Sequence, residues 1–162
     1  MSDYTLVPTV SLASPRRCGS CTACCTVLGV VALAKPEHTP CVHARGHGGC
    51  GVYASRPAEC SAYACAWLSG SVNLPAEDRP DRVGIIFDAA PALDGGKAIV
   101  VAREVRVGAY LGSRASRILR AIEAQTVVVR ASLDGTRAMT GPASRVAALV
   151  RLSSETGKRL PQ

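Results

Sequence analysis

The sequence predicts an α+β fold, in which a small irregular cysteine-rich module precedes an antiparallel sheet with helices packed on one face. Two observations lead to this prediction. All eight cysteines of the 162-residue chain lie between positions 18 and 65. Beyond position 80, apolar runs typical of strands alternate with segments of helical periodicity. The chain is therefore divided into a cysteine-rich module over 15–70 and an α+β module over 80–160.

The first half is predicted to contain only short and irregular elements. Residues 1–17 form an extended leader, and 18–25 form a loop that carries four cysteines. The apolar run 26–33 fits either a strand or a buried turn of helix, because its short length leaves the periodicity undecided. Prolines and glycines mark 35–51 as a series of turns. A short helix is expected within 55–69.

The second half follows the order β-β-α-β-β-α after a polar, proline-containing linker over 70–80. Asp94 and the two glycines after it supply a hairpin turn between the first two strands. The predicted strands cover 83–88, 97–106, 126–130 and 136–140, and the predicted helices cover 113–124 and a segment that starts at Pro142. The helix residues expected to be buried are Ala115, Ile118, Leu119, Ile122, Val146, Leu149 and Val150.

Composition and charge limit the class of protein. An apolar fraction of 48% is sufficient for a folded core, and no apolar run reaches the roughly 18 residues that span a bilayer. The first residues show neither the basic nor the apolar region of a signal peptide, so we expect a cytoplasmic protein with no membrane partner. The net charge of +7 arises from residues 101–162, which contain eleven Lys or Arg against four Asp or Glu.

The cysteines are interpreted as metal ligands and not as a disulfide framework. Eight thiols could pair with one another in a secreted protein, but a reducing compartment favours metal ligation or redox chemistry. The adjacent pair Cys24 and Cys25 and the cysteine-free second half also argue against disulfides. The candidate metal ligands are Cys18, Cys21, Cys24, Cys25, Cys41, Cys50, Cys60 and Cys65.

The spacing of the first cysteines indicates which centre they would bind. A C-x-x-C turn brings two sulfurs to one side, and zinc is commonly held by two such pairs in a tetrahedron. Cys18, Cys21 and Cys24 reproduce the C-x-x-C-x-x-C run with which the cluster-binding segment of bacterial ferredoxins begins. This spacing favours a 4Fe-4S iron–sulfur cluster whose fourth ligand is Cys25 or a later cysteine. Eight thiols would equally satisfy two zinc ions, so Zn2+ is the alternative.

The cysteine pattern resembles that of the YkgJ-like cysteine-cluster family, which is described as a group of zinc- or iron-chelating domains. The resemblance covers about residues 15–70 and starts with the C-x-x-C-x-x-C-C signature at 18–25. It continues through Pro40-Cys41-Val42-His43, Gly49-Cys50-Gly51-Val52-Tyr53, Arg56-Pro57-Ala58-Glu59-Cys60 and Cys65-Ala66-Trp67. The family includes flagellin lysine N-methylases, so the resemblance implies cluster-dependent methyl transfer to lysine as an alternative activity. No glycine-rich nucleotide loop in the second half independently supports a methyl-donor site.

Three further residues are candidate contacts of the bound centre. Tyr53 and Trp67, together with Tyr63, are expected to form an apolar lid over the site. Arg56 is expected to donate hydrogen bonds to sulfurs or to nearby carbonyl groups. Among the histidines of this segment, His43 is considered as a ligand because it lies closest to a cysteine in the family-like motif.

These observations leave three functional hypotheses. The first is a metal-binding protein with a structural or redox role, and the second is a cluster-dependent enzyme such as a protein-lysine methyltransferase. The third is a zinc-module nucleic-acid binder whose basic second half would also suit an acidic protein. The arginines concerned are Arg114, Arg117, Arg120, Arg130, Arg137 and Arg145. The lack of aromatic residues interleaved with these arginines counts against the third hypothesis.

Overall fold

The computed structural model describes Tyr4 and residues 16–157 and confirms the α+β class. Its strands are β1 (Ile85–Ala90), β2 (Ile99–Glu104), β3 (Val128–Ala131) and β4 (Arg137–Thr140). Its helices are α1 (Ala23–Val27), α2 (Ala58–Ala62), α3 (Ala66–Ser69), α4 (Pro80–Val83), α5 (Ser113–Glu123) and α6 (Ala143–Thr156). None of the described helices is long and apolar enough to cross a membrane. The predicted leader over 1–17 lies outside the described residues, except for Tyr4, Arg16 and Arg17.

The four strands form one mixed sheet in the order β1-β2-β3-β4. The outer pairs are antiparallel, and the predicted hairpin between β1 and β2 is confirmed. The central pair is parallel, with Val100 opposite Val128, so the prediction of a fully antiparallel sheet is wrong. The reason is that α5 separates β2 from β3 in the chain and supplies the crossover that parallel neighbours require.

The two long helices pack on opposite faces of the sheet, so the prediction that helices share one face is also wrong. The apolar stripe of α5 packs on the face that contains Phe87 and Val100. Leu149 of α6 packs on the other face, against Ile99 and Val129. Because strand side chains alternate between the two faces and both faces are apolar here, each face needs its own helix.

The core positions of both helices follow from their periodicity. All four predicted core residues of α5 are buried. In α6, Leu149 is buried and Val146 is half-buried beside it, as expected. Val150, by contrast, is 45% exposed. Residue 150 lies about 100° around the helix from residue 149, which turns it away from the sheet.

The cysteine-rich segment covers the β1 edge of the sheet. On one face, Ala66 and Trp67 of α3 share a hydrophobic core with Phe87. On the other face, Val27 of α1 packs against Ile86. Since residues 86 and 87 of a strand point to opposite faces, the segment wraps around β1 and contacts both sides of the sheet.

The elements of the first half are short, as predicted, but their bounds differ. The helix expected within 55–69 is broken into α2 and α3, because the backbone is extended at Tyr63 and Cys65. The apolar run 26–33 is neither one strand nor one buried helical turn: it contains the end of α1, an extended stretch with an isolated β-bridge at Val30, and a 3₁₀ turn at Val31–Leu33 without buried residues. The break between α2 and α3 places their cysteines independently of each other.

The hydroxyl group of Tyr110 links the two central strands. It lies 2.7 Å from the carbonyl oxygen of Ala102 on β2 and 2.9 Å from that of Ala131 on β3. We expect Tyr110→Phe to lower the free energy of unfolding by about 1 kcal/mol, because a half-buried carbonyl loses its donor. Urea unfolding measures this change, with Tyr53→Phe at an exposed residue as the control. An unchanged midpoint for Tyr110→Phe would contradict the assignment.

Candidate metal centre

All eight cysteines line one cavity of about 230 Å³ beside the β1 edge. Each is a free thiol, and none is paired in a disulfide. The predicted contacts Tyr53, Arg56 and Trp67 line the same cavity, as do Tyr63 and His43. A water-sized atom needs about 10–15 Å³ of such space, so the cavity has room for a group of many atoms.

The first two cysteines are held by a turn and by a distant arginine. The backbone N–H of Cys21 donates to the carbonyl oxygen of Cys18 at 2.9 Å and closes the C-x-x-C turn. The guanidinium of Arg79 donates to the Ser20 hydroxyl at 2.8 Å and to the Cys18 carbonyl at 3.4 Å. Arg79 is itself fixed by an ion pair with Asp81 at 2.7 Å. The turn is therefore fastened to the start of α4.

The adjacent cysteines Cys24 and Cys25 lie on α1 and face different surroundings. Successive side chains on a helix diverge by about 100°. Cys24 packs with Cys21 on the hydrophobic cluster around Ile86. The carbonyl oxygen of Cys25 accepts the backbone N–H of Cys41 at 2.9 Å. The helix thus directs one thiol towards the sheet and places the other beside the next cysteine loop.

Cys41 and Cys50 are brought together by a tight loop. The N–H of Ala44 donates to the carbonyl oxygen of Cys41 at 3.0 Å, and Ala44 also forms an isolated β-bridge with Cys50. The backbone N–H of His43 lies 3.5 Å from the Cys41 sulfur. This N–H donor helps to fix the position of the Cys41 sulfur within the loop.

This loop touches the C-x-x-C turn at Gly49. The residue has a φ of +73°, and a Cβ placed on it would lie 2.2 Å from the carbonyl oxygen of Gly19. Only glycine therefore permits the close approach of the two backbones. The contact holds Cys18 and Cys50 on neighbouring parts of the cavity wall.

The last two cysteines flank a polar connection to the sheet. Cys60 lies in α2, and Cys65 directly precedes α3. Between them, the hydroxyl of Tyr63 donates to Asp88 of β1 at 2.7 Å. Asp88 also forms a half-buried ion pair with Arg103 of β2. This network fixes the backbone that carries both thiols to the two strands at the edge of the sheet.

Arg56 lines the cavity beside Tyr53. Its guanidinium carbon lies 3.9 Å from the centre of the Tyr53 ring, and the group donates to the Tyr53 carbonyl at 3.0 Å. Its Nε has no hydrogen-bond partner within the described part of the chain and is covered by protein atoms. The side chain is therefore fixed at this position by Tyr53 and does not turn its Nε towards the cavity.

The aromatic residues and histidines occupy different positions around the cavity. Trp67 is buried, and its indole N–H donates to the carbonyl oxygen of Pro75 at 3.0 Å, so the ring forms a fixed wall. Tyr53 is 43% exposed and lies at the rim. His43 lines the cavity, whereas His38 and His47 are not among its lining residues.

The thiols of Cys24 and Cys25 share a hydrogen bond, which shifts their pKa values in opposite directions. The bond from Cys24 lowers the pKa of Cys25 to about 7, with help from the Lys35 ammonium and against the effect of burial. The same bond, together with burial, raises the pKa of Cys24 far above its ordinary value. Burial raises the pKa of Cys65 to about 11. Buried thiols of this kind ionise when a cation coordinates them.

The cysteines do not form a closed ligand shell as they stand. Within Tyr4 and residues 16–157, no group of three or more Cys, His, Asp or Glu side chains is close enough to hold a metal ion. The chemistry of the donor set fits zinc or an iron–sulfur cluster, because soft thiols line one cavity. Binding would therefore draw the sulfurs inward from the cavity wall.

No family model, no curated protein and no solved structure matches this chain. The resemblance to the cysteine-cluster family accordingly stays a prediction that rests on the motifs within residues 15–70. The lysine methylation that the resemblance implies stays a prediction in the same way.

Three of the six arginines considered for nucleic-acid binding are engaged in ion pairs. These pairs are Arg114 with Asp78, Arg130 with Glu123 and Arg145 with Asp94. Arg117 and Arg120 are exposed on α5, on one side of the sheet. Arg137 of β4 points to the other side, as its strand neighbour Met139 does. The arginines are thus divided between two surfaces, which weakens the nucleic-acid hypothesis.

Sequence reasoning missed Lys35, Arg79 and Asp88 as residues of the site. Arg79 reaches Cys18 across 61 positions, and Asp88 reaches Tyr63 across 25. Lys35 is only 8% exposed, and its ammonium donates to the Leu28 carbonyl and, at 3.2 Å, to the Pro36 carbonyl. No local signal marks these residues, because a single charged residue in a turn-rich stretch is ordinarily solvated.

Proposed function

We propose that the chain is a metal-binding protein that holds an iron–sulfur cluster or zinc through the thiolates of its cysteine-rich segment, in a structural or redox role. The observation that supports the proposal is that all eight thiols line the same cavity. Several soft ligands must converge on one centre, and no other arrangement of the described side chains offers this chemistry. We also place the protein in the cytoplasm, where thiols stay reduced.

A 4Fe-4S cluster is the favoured centre, and zinc is the alternative. The triple C-x-x-C-x-x-C spacing supports the cluster, and so does a cavity much larger than a single ion needs. A cluster would supply one-electron chemistry, whereas zinc would supply a structural cross-link.

The cations around the cavity suit a negatively charged set of thiolates. Lys35 lies near Cys25, and Arg79 lies near Cys21 and Cys18. A positive charge close to a thiol favours its ionised form and offsets the repulsion between neighbouring thiolates. The protein therefore contributes the ligands and the positive charge of Lys35, whereas the charge of Arg79 is already balanced by Asp81.

Anaerobic purification followed by elemental analysis and visible spectroscopy tests the proposal. A brown protein that contains iron and acid-labile sulfide indicates a cluster, and a colourless protein that contains zinc indicates the alternative. The variant Cys18→Ser/Cys21→Ser should contain less metal than the unaltered protein, whereas Ser55→Ala at an exposed position should contain the same amount. Freshly isolated protein that contains neither metal would refute the proposal.

The charge of Lys35 should matter for metal retention. We expect Lys35→Met to lower the metal affinity about tenfold, because residues that support metal ligands typically contribute factors of 10 to 100. Competition with a chelator of known affinity measures the change. Lys97→Met, at an exposed position in the β1–β2 connection, is the matched control and should leave the affinity unaltered. Equal affinities for the two variants would exclude this role of Lys35.

A further inference from the structure

We propose that the eight thiols form two separate four-thiol centres and not one shared centre. The sheet-side set consists of Cys18, Cys21, Cys24 and Cys65. The loop-side set consists of Cys25, Cys41, Cys50 and Cys60. This inference rests on the proposed function and adds to it the number of centres and the ligands of each.

The sheet-side set is assembled on the hydrophobic cluster around Ile86. Cys21, Cys24 and Cys65 all pack against this cluster, although Cys65 is far from the other two in sequence. Cys18 joins them through the C-x-x-C turn, which its carbonyl oxygen closes with the Cys21 N–H. Three chain segments thus deliver four thiols to the side of the cavity that faces β1.

The loop-side set is assembled by backbone hydrogen bonds away from the sheet. The Cys41 N–H donates to the Cys25 carbonyl, and the β-bridge between Ala44 and Cys50 completes the adjoining loop. The α2 helix, which carries Cys60, is held nearby because the neighbouring Glu59 carboxylate accepts the Val31 N–H at 2.9 Å. These contacts collect the second group of thiols around the end of α1.

The adjacent pair on α1 marks the division between the two sets. Cys24 and Cys25 leave α1 in directions about 100° apart, although their thiols stay in contact with each other. Each can serve the centre on its own side. The hydrogen bond between their thiols then shows where the two sets meet.

The nearest thiols of individual cysteines agree with this division. Cys60 lies within electrostatic range of Cys25, Cys41 and Cys50, which belong to its own set. Cys65 lies within that range of Cys21 and Cys18, which belong to the sheet-side set.

Each set also has its own cation. Arg79 donates to the Cys18 carbonyl and lies near the thiols of Cys18 and Cys21. The Lys35 ammonium lies near the thiol of Cys25, which belongs to the loop-side set. Four thiolates satisfy one tetrahedral zinc ion or one cubane cluster, so each set matches a complete centre in ligand number.

Metal analysis of two paired variants tests the inference. Cys18→Ser/Cys21→Ser removes half of the sheet-side set, and Cys41→Ser/Cys50→Ser removes half of the loop-side set. We expect each variant of the full chain, purified anaerobically, to retain about half of the iron or zinc found in the unaltered protein. The variant with all four substitutions should retain none.

Other metal contents would overturn the inference in recognisable ways. If one paired variant loses all metal and the other loses none, a single four-thiol centre exists. If both lose all metal, the thiols act as one shared centre. Either result leaves the proposed function intact, whereas unaltered protein without metal would refute both.

A second measurement avoids any folding defect of the variants. N-ethylmaleimide is added to unaltered, metal-loaded protein, and the alkylated cysteines are located by mass spectrometry. If two centres are present, all eight thiols should be protected from N-ethylmaleimide under conditions in which the denatured protein is fully alkylated. Rapid modification of four thiols, with protection of the other four, would show a single centre and overturn the inference.

Discussion

Removal of the metal should unfold residues 18–65 and leave the central sheet folded. Within this segment the buried hydrophobic residues are Ala23, Val27 and Val30, each of which contributes at most about 3 kcal/mol. Structural metal binding, where it occurs, contributes about 10–16 kcal/mol. We therefore expect the segment to depend on a bound metal more than on its own small core.

Hydrogen exchange followed by mass spectrometry measures this dependence. After anaerobic treatment with a chelator, peptides from 18–65 should exchange as fast as an unfolded chain. Peptides from β2 and β3 should stay protected, because their apolar residues are fully buried on both faces. Chelator already saturated with metal serves as the control. Protection of 18–65 that survives metal loss would contradict the prediction.

Arg103→Met should destabilise the protein strongly, because it leaves the Asp88 carboxylate without its ion-pair partner. Asp88 and Arg103 form an ion pair in which each side chain is only 16% exposed. Removing one partner of a buried pair costs about 3–5 kcal/mol, and the remaining exposure lowers our expectation to about 2–4 kcal/mol. The hydroxyl of Tyr63 still donates to Asp88 and compensates only in part.

The pH dependence of this loss identifies its cause. Burial raises the pKa of Asp88 above its ordinary value even while Arg103 and Tyr63 lower it. In the variant the folded-state pKa rises further, but the unfolded carboxyl keeps a pKa of about 3.9. Because the unfolded state titrates alike in both proteins, the extra destabilisation is absent below the folded-state pKa of Asp88 in the unaltered protein. It grows as the pH rises from that pKa to the higher folded-state pKa of the variant, and it is constant above the latter.

Urea unfolding at two pH values provides the measurement for this second prediction. The loss caused by Arg103→Met should be larger at pH 7 than near pH 4. Adding Asp88→Asn should recover most of the stability at pH 7, because a neutral amide replaces the unpaired charge. A loss that is equal at both pH values, or that the second substitution does not reduce, would show that Arg103 acts through packing.

The second half was predictable where local patterns decide the structure. The α5 stripe is buried because its period matches the helix, and the hairpin forms because a glycine-rich turn joins two apolar runs. The parallel pairing of β2 with β3 and the packing of α5 and α6 on opposite faces were not predicted, because both depend on the crossover between β2 and β3. The unbroken apolar run 99–102 was a usable signal, since it indicates a strand covered on both faces.

The candidate site was predictable as a set of residues and not as an arrangement. Cysteine density alone identified the thiols that line the cavity. Their positions depend on features that spacing does not encode, such as the close backbone contact at Gly49 and the extended break at Tyr63. The supporting charges Lys35 and Arg79 are likewise placed by tertiary contacts.

The wrapping of the cysteine-rich segment around β1 has a consequence for solubility. β1 is an outer strand of the sheet, and an uncovered outer strand offers its free backbone groups to strands of other molecules. Here α1, α3 and α4 lie against it. Loss of the metal would then unfold the part of this cover that lies within residues 18–65, which includes α1. The outer strand β1 would become more accessible to strands of other molecules, and the protein would be more prone to aggregate.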